Sequence, residues 1–182
     1  MFCKTKTKGK SSIIKRFVYD KFDGVYKPTT KSREHKTIEI SDRKRQLIIN
    51  DIFGYDKMNA WIADLTRKCD GFLLVFSLSK YESFEAITRI INMIQSIKNK
   101  KASSLPIVVV GNKKDREGLK VSDHDLEMLK NKFNVRVLKI SAMTGENISE
   151  PFVELVKKYD MMKARERESK QVVNKNSTCC WY

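Results

Sequence analysis

Glycine and proline are scarce, seven and three among 182 residues, and with no serine-rich stretch either, the composition excludes a disordered or low-complexity chain. No apolar run approaches the roughly 20 residues of a membrane-spanning helix. Met1-Phe2-Cys3-Lys4 has none of the hydrophobic stretch of a signal peptide, so the cytosolic side of a membrane is the expected location. Of four cysteines, Cys3 and Cys69 are isolated while Cys179 and Cys180 are adjacent. That spacing reads as reduced thiols with a special pair, not as a disulfide framework. The two histidines, His35 and His124, have no partners at metal or triad spacing.

What remains is a globular balance, 41% hydrophobic and 32% charged, in a length that fits one well-buried core followed by a tail. Residues 1–163 are assigned to the domain and 164–182 to a basic, flexible tail. Thirty-seven Lys and Arg against 22 Asp and Glu leave a net charge of +15, which favours an anionic partner: a nucleotide, an acidic membrane face or a nucleic acid. A soluble protein of lysine-rich composition would look the same. The chain lacks a basic-and-aromatic stacking motif and a DNA-reading helix, so nucleic acid is not expected.

Ile13, Ile14, Phe17 and Val18 have helical spacing and predict a helix from Ser12 to Phe22, directly after Gly9-Lys10-Ser11. Thr37–Ile40 and Gln46–Ile49, around a charged turn at Ser41–Arg45, read as a hairpin. Gly71–Phe76 and Leu105–Val110 are near-continuous apolar runs, as in strands buried on both faces of a parallel sheet. Between them Phe84, Ile87, Ile90, Ile91, Ile94 and Ile97 mark an amphipathic helix. A weaker helix at Asp123–Lys132, a strand at Arg136–Ile140 and a helix opened by a capping-box-like Asn147 and Glu150 complete the domain. After Lys163 the apolar rhythm stops, and Arg165–Thr178 reads as a polar linker. Alternating strands and helices mean an α/β, doubly wound sheet.

Gly111-Asn112-Lys113-Lys114-Asp115 ends a buried strand, where open α/β sheets bind ligands. Ser141-Ala142-Met143 follows the next strand, and Gly9-Lys10-Ser11 opens the first helix. Singly, each is also an ordinary polar turn or helix start. In this order and spacing they resemble the guanine-recognition and phosphate-loop motifs of the Ras-like small GTPases, within the P-loop GTPase superfamily. The resemblance implies a mostly parallel six-stranded sheet flanked by helices, GTP or GDP as ligand, and Mg²⁺ as cofactor. It also implies that Asp115 accepts both guanine N–H groups, Lys113 lays its stem along the base, Asn112 ties the loop to its neighbours and the Ala142 N–H reads the guanine oxygen. Met143 stands where the family usually has lysine. Lys8, Gly9, Lys10, Ser11 and Ser12 would hold the phosphates, with Lys10 on the β- and γ-phosphates and Ser11 on Mg²⁺.

The phosphate loop departs from the family at Lys4, where its first glycine belongs, and the preceding strand is reduced to Met1-Phe2-Cys3. That first strand is therefore expected to be shortened or missing, through a truncated start or an unusual compensation. Thr29, 18 residues after Ser11, matches the first switch loop and would join Mg²⁺ and the γ-phosphate. Phe22 matches the aromatic beside the guanine. Asp51-Ile52-Phe53-Gly54 resembles the second switch, with Asp51 on Mg²⁺ through water and the Gly54 N–H on the γ-phosphate. The family's catalytic glutamine is replaced by Tyr55, which cannot orient water in the same geometry, so weak hydrolysis is expected. Lys10, Thr29, Gly54 and Tyr55 are thus the catalytic candidates.

Cys179, fourth from the end, and Cys180 are lipidation candidates, and the basic tail would add attraction to an acidic membrane. A monomeric GTP/GDP switch with effector, exchange and GTPase-activating partners at the cytoplasmic face of a membrane is the leading reading. A catalytically silent member of the same fold, acting as a scaffold, is the alternative.

Overall fold

The computed structural model describes residues 9–24, 31–52 and 60–175, without the side chains of residues 31, 52 and 169–175. Its elements run α1 (Lys10–Tyr19), β1 (Lys31–Ile40), β2 (Arg43–Ile52), α2 (Ala60–Lys68), β3 (Phe72–Ser77), α3 (Tyr81–Lys98), a 3-10 turn (Ala102–Ser104), β4 (Ile107–Asn112), α4 (Asp123–Phe133), β5 (Arg136–Lys139) and α5 (Glu150–Lys175). The fold is α/β, a parallel sheet flanked by helices, as in Ras-like P-loop GTPases. No helix among the described residues is long and apolar enough to cross a membrane.

The two apolar runs form the centre of the molecule. β3 pairs in parallel with β4 from Phe72 opposite Ile107 to Ser77 opposite Asn112, and β4 pairs in parallel with β5. Every residue of β3 and β4 is buried, which is why no polar residue interrupts their interiors. α3 covers β3 with Phe84, Ile87, Ile90, Ile91 and Ile94 buried. Phe17 of α1 stacks on Phe152 of α5 with ring centroids 3.7 Å apart, fixing the helix that opens with Lys10 against the core.

The sheet departs from the six-stranded expectation. The described residues form five strands in two sheets, an antiparallel pair β1–β2 and a parallel trio β3–β4–β5. Between them lies a cleft of about 540 Å³ lined by Leu47 and Ile49 of β2, Leu73 of β3 and Leu155 of α5. The expected first strand falls in residues 1–8, outside the described residues.

Four local expectations also change. The first helix is Lys10–Tyr19 and not Ser12–Phe22; its last turn closes on Asp20 in the left-handed region, φ 53°. The hairpin turns on two residues and not five, because Ser41 and Asp42 both take positive φ, 48° and 58°, a pairing that matches strand twist and lets Arg43–Arg45 join the ladder. Asn147 does not cap the last helix: its amide donates to the Lys139 carbonyl at 3.4 Å, and the Ser149 carbonyl receives the first bonds, from Phe152 and Val153. Finally, the expected flexible tail is helical as far as Lys175. Its Arg, Glu, Lys and Gln residues are good helix formers with no glycine or proline among them, and extending a formed helix costs far less than starting one. α2 had no counterpart in the sequence reading; it buries only Ile62 and Thr66, too thin a stripe to show as a periodicity.

Candidate nucleotide site

The site assembles at the C-terminal end of β4, where the strand hands over to residues 112–115. Asn112, 2% exposed, is its junction. Its side-chain Oδ1 accepts the Lys113 N–H at 2.7 Å and the Ala142 N–H at 3.1 Å. Its backbone carbonyl accepts the Leu78 N–H at 2.9 Å. Its side-chain nitrogen lies so near Gly9 that a Cβ there would sit 2.4 Å away. One carboxamide therefore touches the start of α1, its own loop and the loop after β5.

Gly9 has φ 80°, a conformation that L residues avoid, and its carbonyl accepts the Ile13 N–H at 2.8 Å to begin α1. Lys10 follows, 9% exposed; no hydrogen bond or ion pair joins its ammonium to another described residue. A lysine so buried calls for an anion. The N-terminus of α1, which no side-chain cap closes, is the kind of helix end that binds phosphate through its backbone N–H groups.

Ser11 donates its hydroxyl to Asp51, which is 2% exposed at the end of β2. A hydroxyl and a buried carboxylate side by side are hard oxygen donors. One carboxylate is what Mg²⁺ uses when phosphates complete its shell, so Ser11 and Asp51 fit the ion. Thr29, its third expected ligand, lies outside the described residues.

At the base end, Ser141 donates its hydroxyl to Asp115 Oδ1 at 2.5 Å and is fully buried. That bond fixes one carboxylate oxygen and holds the acid at the loop's edge. Lys113 has φ 69° and is half-buried. Burial lowers the pKa of its amine, Arg116 and Lys80 add repulsion, and Asp115 works the other way. Ala142 is 3% exposed, whereas Met143 is 53% exposed with its side chain toward solvent. The Met143 departure therefore leaves the loop's backbone geometry intact. Phe22 is 39% exposed on the segment after α1.

The structure thus brings together Gly9, Lys10, Ser11, Asp51, Asn112, Lys113, Asp115, Ser141 and Ala142. Ser12 follows them in the first turn of α1. Lys8, Thr29, Gly54, Tyr55, Cys179 and Cys180 lie outside the described residues.

Two positioning residues had escaped the sequence reading. Arg16 of α1 donates to the Thr144 carbonyl at 3.4 Å and lies against Gly145, where a Cβ would meet its Nη2 at 3.1 Å. Lys114 pairs with Glu146 across the two base-end loops. Gly145, with φ 88°, was the available signal for the first; opposite charge alone marks the second.

A family model described as "Ras family" matches residues 5–161, which is most of the chain and contains every element of this site. The chain belongs to the Ras family. It is similar to Ras-like protein rasS of Dictyostelium discoideum, 33% identical over 181 residues that cover 94% of this chain and 91% of that protein. Ras-like protein rasX of the same organism is 30% identical over 93% of this chain and 81% of its own length. Ras-related protein Ral-B of Mus musculus is 30% identical over 89% and 79%. Membership makes the chain a small GTPase of the switch type, with guanine nucleotide as its ligand, Mg²⁺ as the usual companion ion, and regulators and effectors as its general class of partner.

Proposed function

We propose that this small GTPase holds guanine nucleotide between Asp115 and Lys10, hydrolyses GTP slowly, and signals from the cytoplasmic face of a membrane as a monomer. The observation that carries the nucleotide assignment is the Asn112 junction, because it sets the base-reading loops and the phosphate-binding helix in one rigid frame. Asp115 accepts the two guanine N–H groups, a pattern adenine cannot offer. The Ala142 loop is held by Asn112 and Arg16, and its backbone is positioned for the guanine oxygen. Lys10 and the N-terminus of α1 neutralise the phosphate chain. Bound at Ser11 and Asp51, Mg²⁺ would offset charge on the β- and γ-phosphates.

Slow turnover follows from Tyr55 in place of glutamine. A phenol has one donor and acceptor on a rigid ring and cannot hold water and the γ-phosphate as a carboxamide does. Thr29 and the Gly54 N–H would sense the γ-phosphate and link its presence to effector binding. Cys179 or Cys180, once lipidated, would supply the membrane anchor, with the cations of residues 163–175 as its electrostatic partner.

Purified protein, stripped of nucleotide and reloaded with GTP and Mg²⁺, tests the reading by its phosphate release. Bound guanine nucleotide with slow release supports it. Bound nucleotide with no release beyond the buffer rate would instead favour the silent scaffold, and release at the rate of glutamine-bearing relatives would contradict the role given to Tyr55.

A further inference from the structure

Away from the nucleotide, at the opposite end of the parallel sheet, a groove of about 720 Å³ opens between the hairpin turn, the start of β5 and α5. Val108, near the start of β4, lines it, and Asn112 ends the same strand, so the two sites are separated by roughly 13 Å of strand. Five basic side chains face it, Arg43, Lys130, Arg136, Lys157 and Lys158, against two acidic ones, Glu154 and Asp160.

Both carboxylates are already engaged. Asp160 takes the Arg45 guanidinium at 3.0 Å. Glu154 faces Arg136 at 3.8 Å and Lys157 at 3.5 Å. Lys130 pairs outside the groove with Glu127 at 3.0 Å. Arg43 and Lys158 are left: no hydrogen bond or ion pair joins either side chain to another described residue. Lys158 is nevertheless half-buried, and desolvation is the sole cause that displaces its pKa, downward. A half-buried cation with no counter-ion among the described residues is a cost that a bound anion removes, and the exposed Arg43 lines the same groove.

We propose that this groove is a second anion site, independent of the nucleotide, that takes a phosphomonoester group between Arg43 and Lys158. A guanidinium offers a paired fork to phosphate oxygens and a lysine a point charge, so together they suit a dianionic, several-oxygen group better than a single carboxylate. Arg136 and Lys157, which share Glu154, add field at the rim, Arg136 less so because Glu150 also faces it at 4.0 Å. Met161, 57% exposed beside them, provides an apolar shoulder for whatever carries the phosphate. That carrier is either a soluble polyphosphorylated compound or a phosphorylated lipid headgroup.

The test is amine labelling of the full-length, GDP-saturated protein by reductive methylation, read residue by residue by mass spectrometry at near-physiological ionic strength. Lys98 is the internal reference: its amine is also lowered chiefly by burial and donates to the Arg67 and Cys69 carbonyls, both at 2.7 Å. Inositol trisphosphate is one probe. Phosphatidylcholine vesicles carrying phosphatidylinositol bisphosphate are the other, compared with phosphatidylserine vesicles of equal charge. Labelling of Lys158 should slow about tenfold with either phosphate-bearing probe while Lys98 is unchanged, and Arg43→Ala should abolish most of that protection without changing GDP affinity.

Protection by the soluble probe alone assigns the free compound, and protection by vesicles alone assigns the headgroup. No protection by either, equal protection by phosphatidylserine, uniform slowing of all lysines, or full protection in Arg43→Ala overturns the site. Because Lys158 is read directly, a failure here stays distinct from a failure of guanine binding, which would show as loss of GDP.

Discussion

Gly9 and Asn112 are in such close contact that a Cβ on the glycine would lie 2.4 Å from the asparagine's amide nitrogen. Through that contact the end of the phosphate-binding loop leans on the residue that also fixes the guanine-reading loops. Base and phosphate recognition are therefore mechanically one unit, and damage at either residue should reach both ends of the nucleotide.

Gly9→Ala meets two penalties, the clash with Asn112 and a φ of 80°, the latter costing roughly 1–2 kcal/mol for an L residue. Faster GDP release together with a lower unfolding midpoint is expected. Fluorescent GDP off-rates and thermal unfolding check it, and an unchanged off-rate would show that the contact is idle.

Asn112→Ala leaves the Lys113 and Ala142 N–H groups without their acceptor, at roughly 1–3 kcal/mol for a buried group so exposed. GDP affinity should fall at least about tenfold. Ser141→Ala frees Asp115 and takes the acceptor from the Thr144 N–H but leaves the Gly9 contact and the Asn112 bonds in place, and should cost less. Equilibrium titration of the two variants ranks them, and the reverse order would contradict the junction role.

Asp115→Asn replaces a doubly accepting carboxylate by an amide that must present a donor to one guanine N–H. Weaker binding of GDP by about tenfold or more is expected, with no gain for ATP. Competition titration reads both quantities.

Ser122 and Asp125 form a capping box at the start of α4, with the Ser122 N–H donating to Asp125 at 2.8 Å. Ser122→Ala should cost roughly 1 kcal/mol. Hydrogen bonds from the Ser122 side chain and backbone, in that order, depress the Asp125 pKa. The stabilisation is thus fully present above the ordinary carboxylate range and is lost as the pH falls through the depressed value. The stability difference between wild type and Ser122→Ala should accordingly narrow at low pH to the share carried by the Asp125 N–H bond to Ser122 Oγ, which does not titrate.

Tyr55→Gln restores the carboxamide of the family and should raise single-turnover phosphate release by about tenfold or more, roughly 1.4 kcal/mol of barrier. An unchanged rate would place the deficiency elsewhere.

Much of this was legible because the informative residues are chemically narrow. A continuous apolar run such as Ile107–Val110 has few homes besides a doubly covered strand, and an asparagine at its end had to spend its amide on local backbone. The hairpin register was less legible, since a two-residue turn in the left-handed region was hidden inside five polar residues, Ser41–Arg45. α5 ran past its expected end because amphipathic periodicity reports burial, and an exposed helix of Arg, Glu and Lys buries nothing to report. The Arg16 contact with Thr144 was invisible for a different reason: it joins α1 to a loop over a hundred residues away through a carbonyl that every residue possesses.

Competition titration with fluorescent GDP and Mg²⁺ tests the central claim most directly. Saturable uptake that unlabelled GDP and GTP reverse and ATP leaves untouched is predicted. No saturable uptake, or equal displacement by ATP, would contradict a guanine site built on Asp115, Asn112 and Lys10.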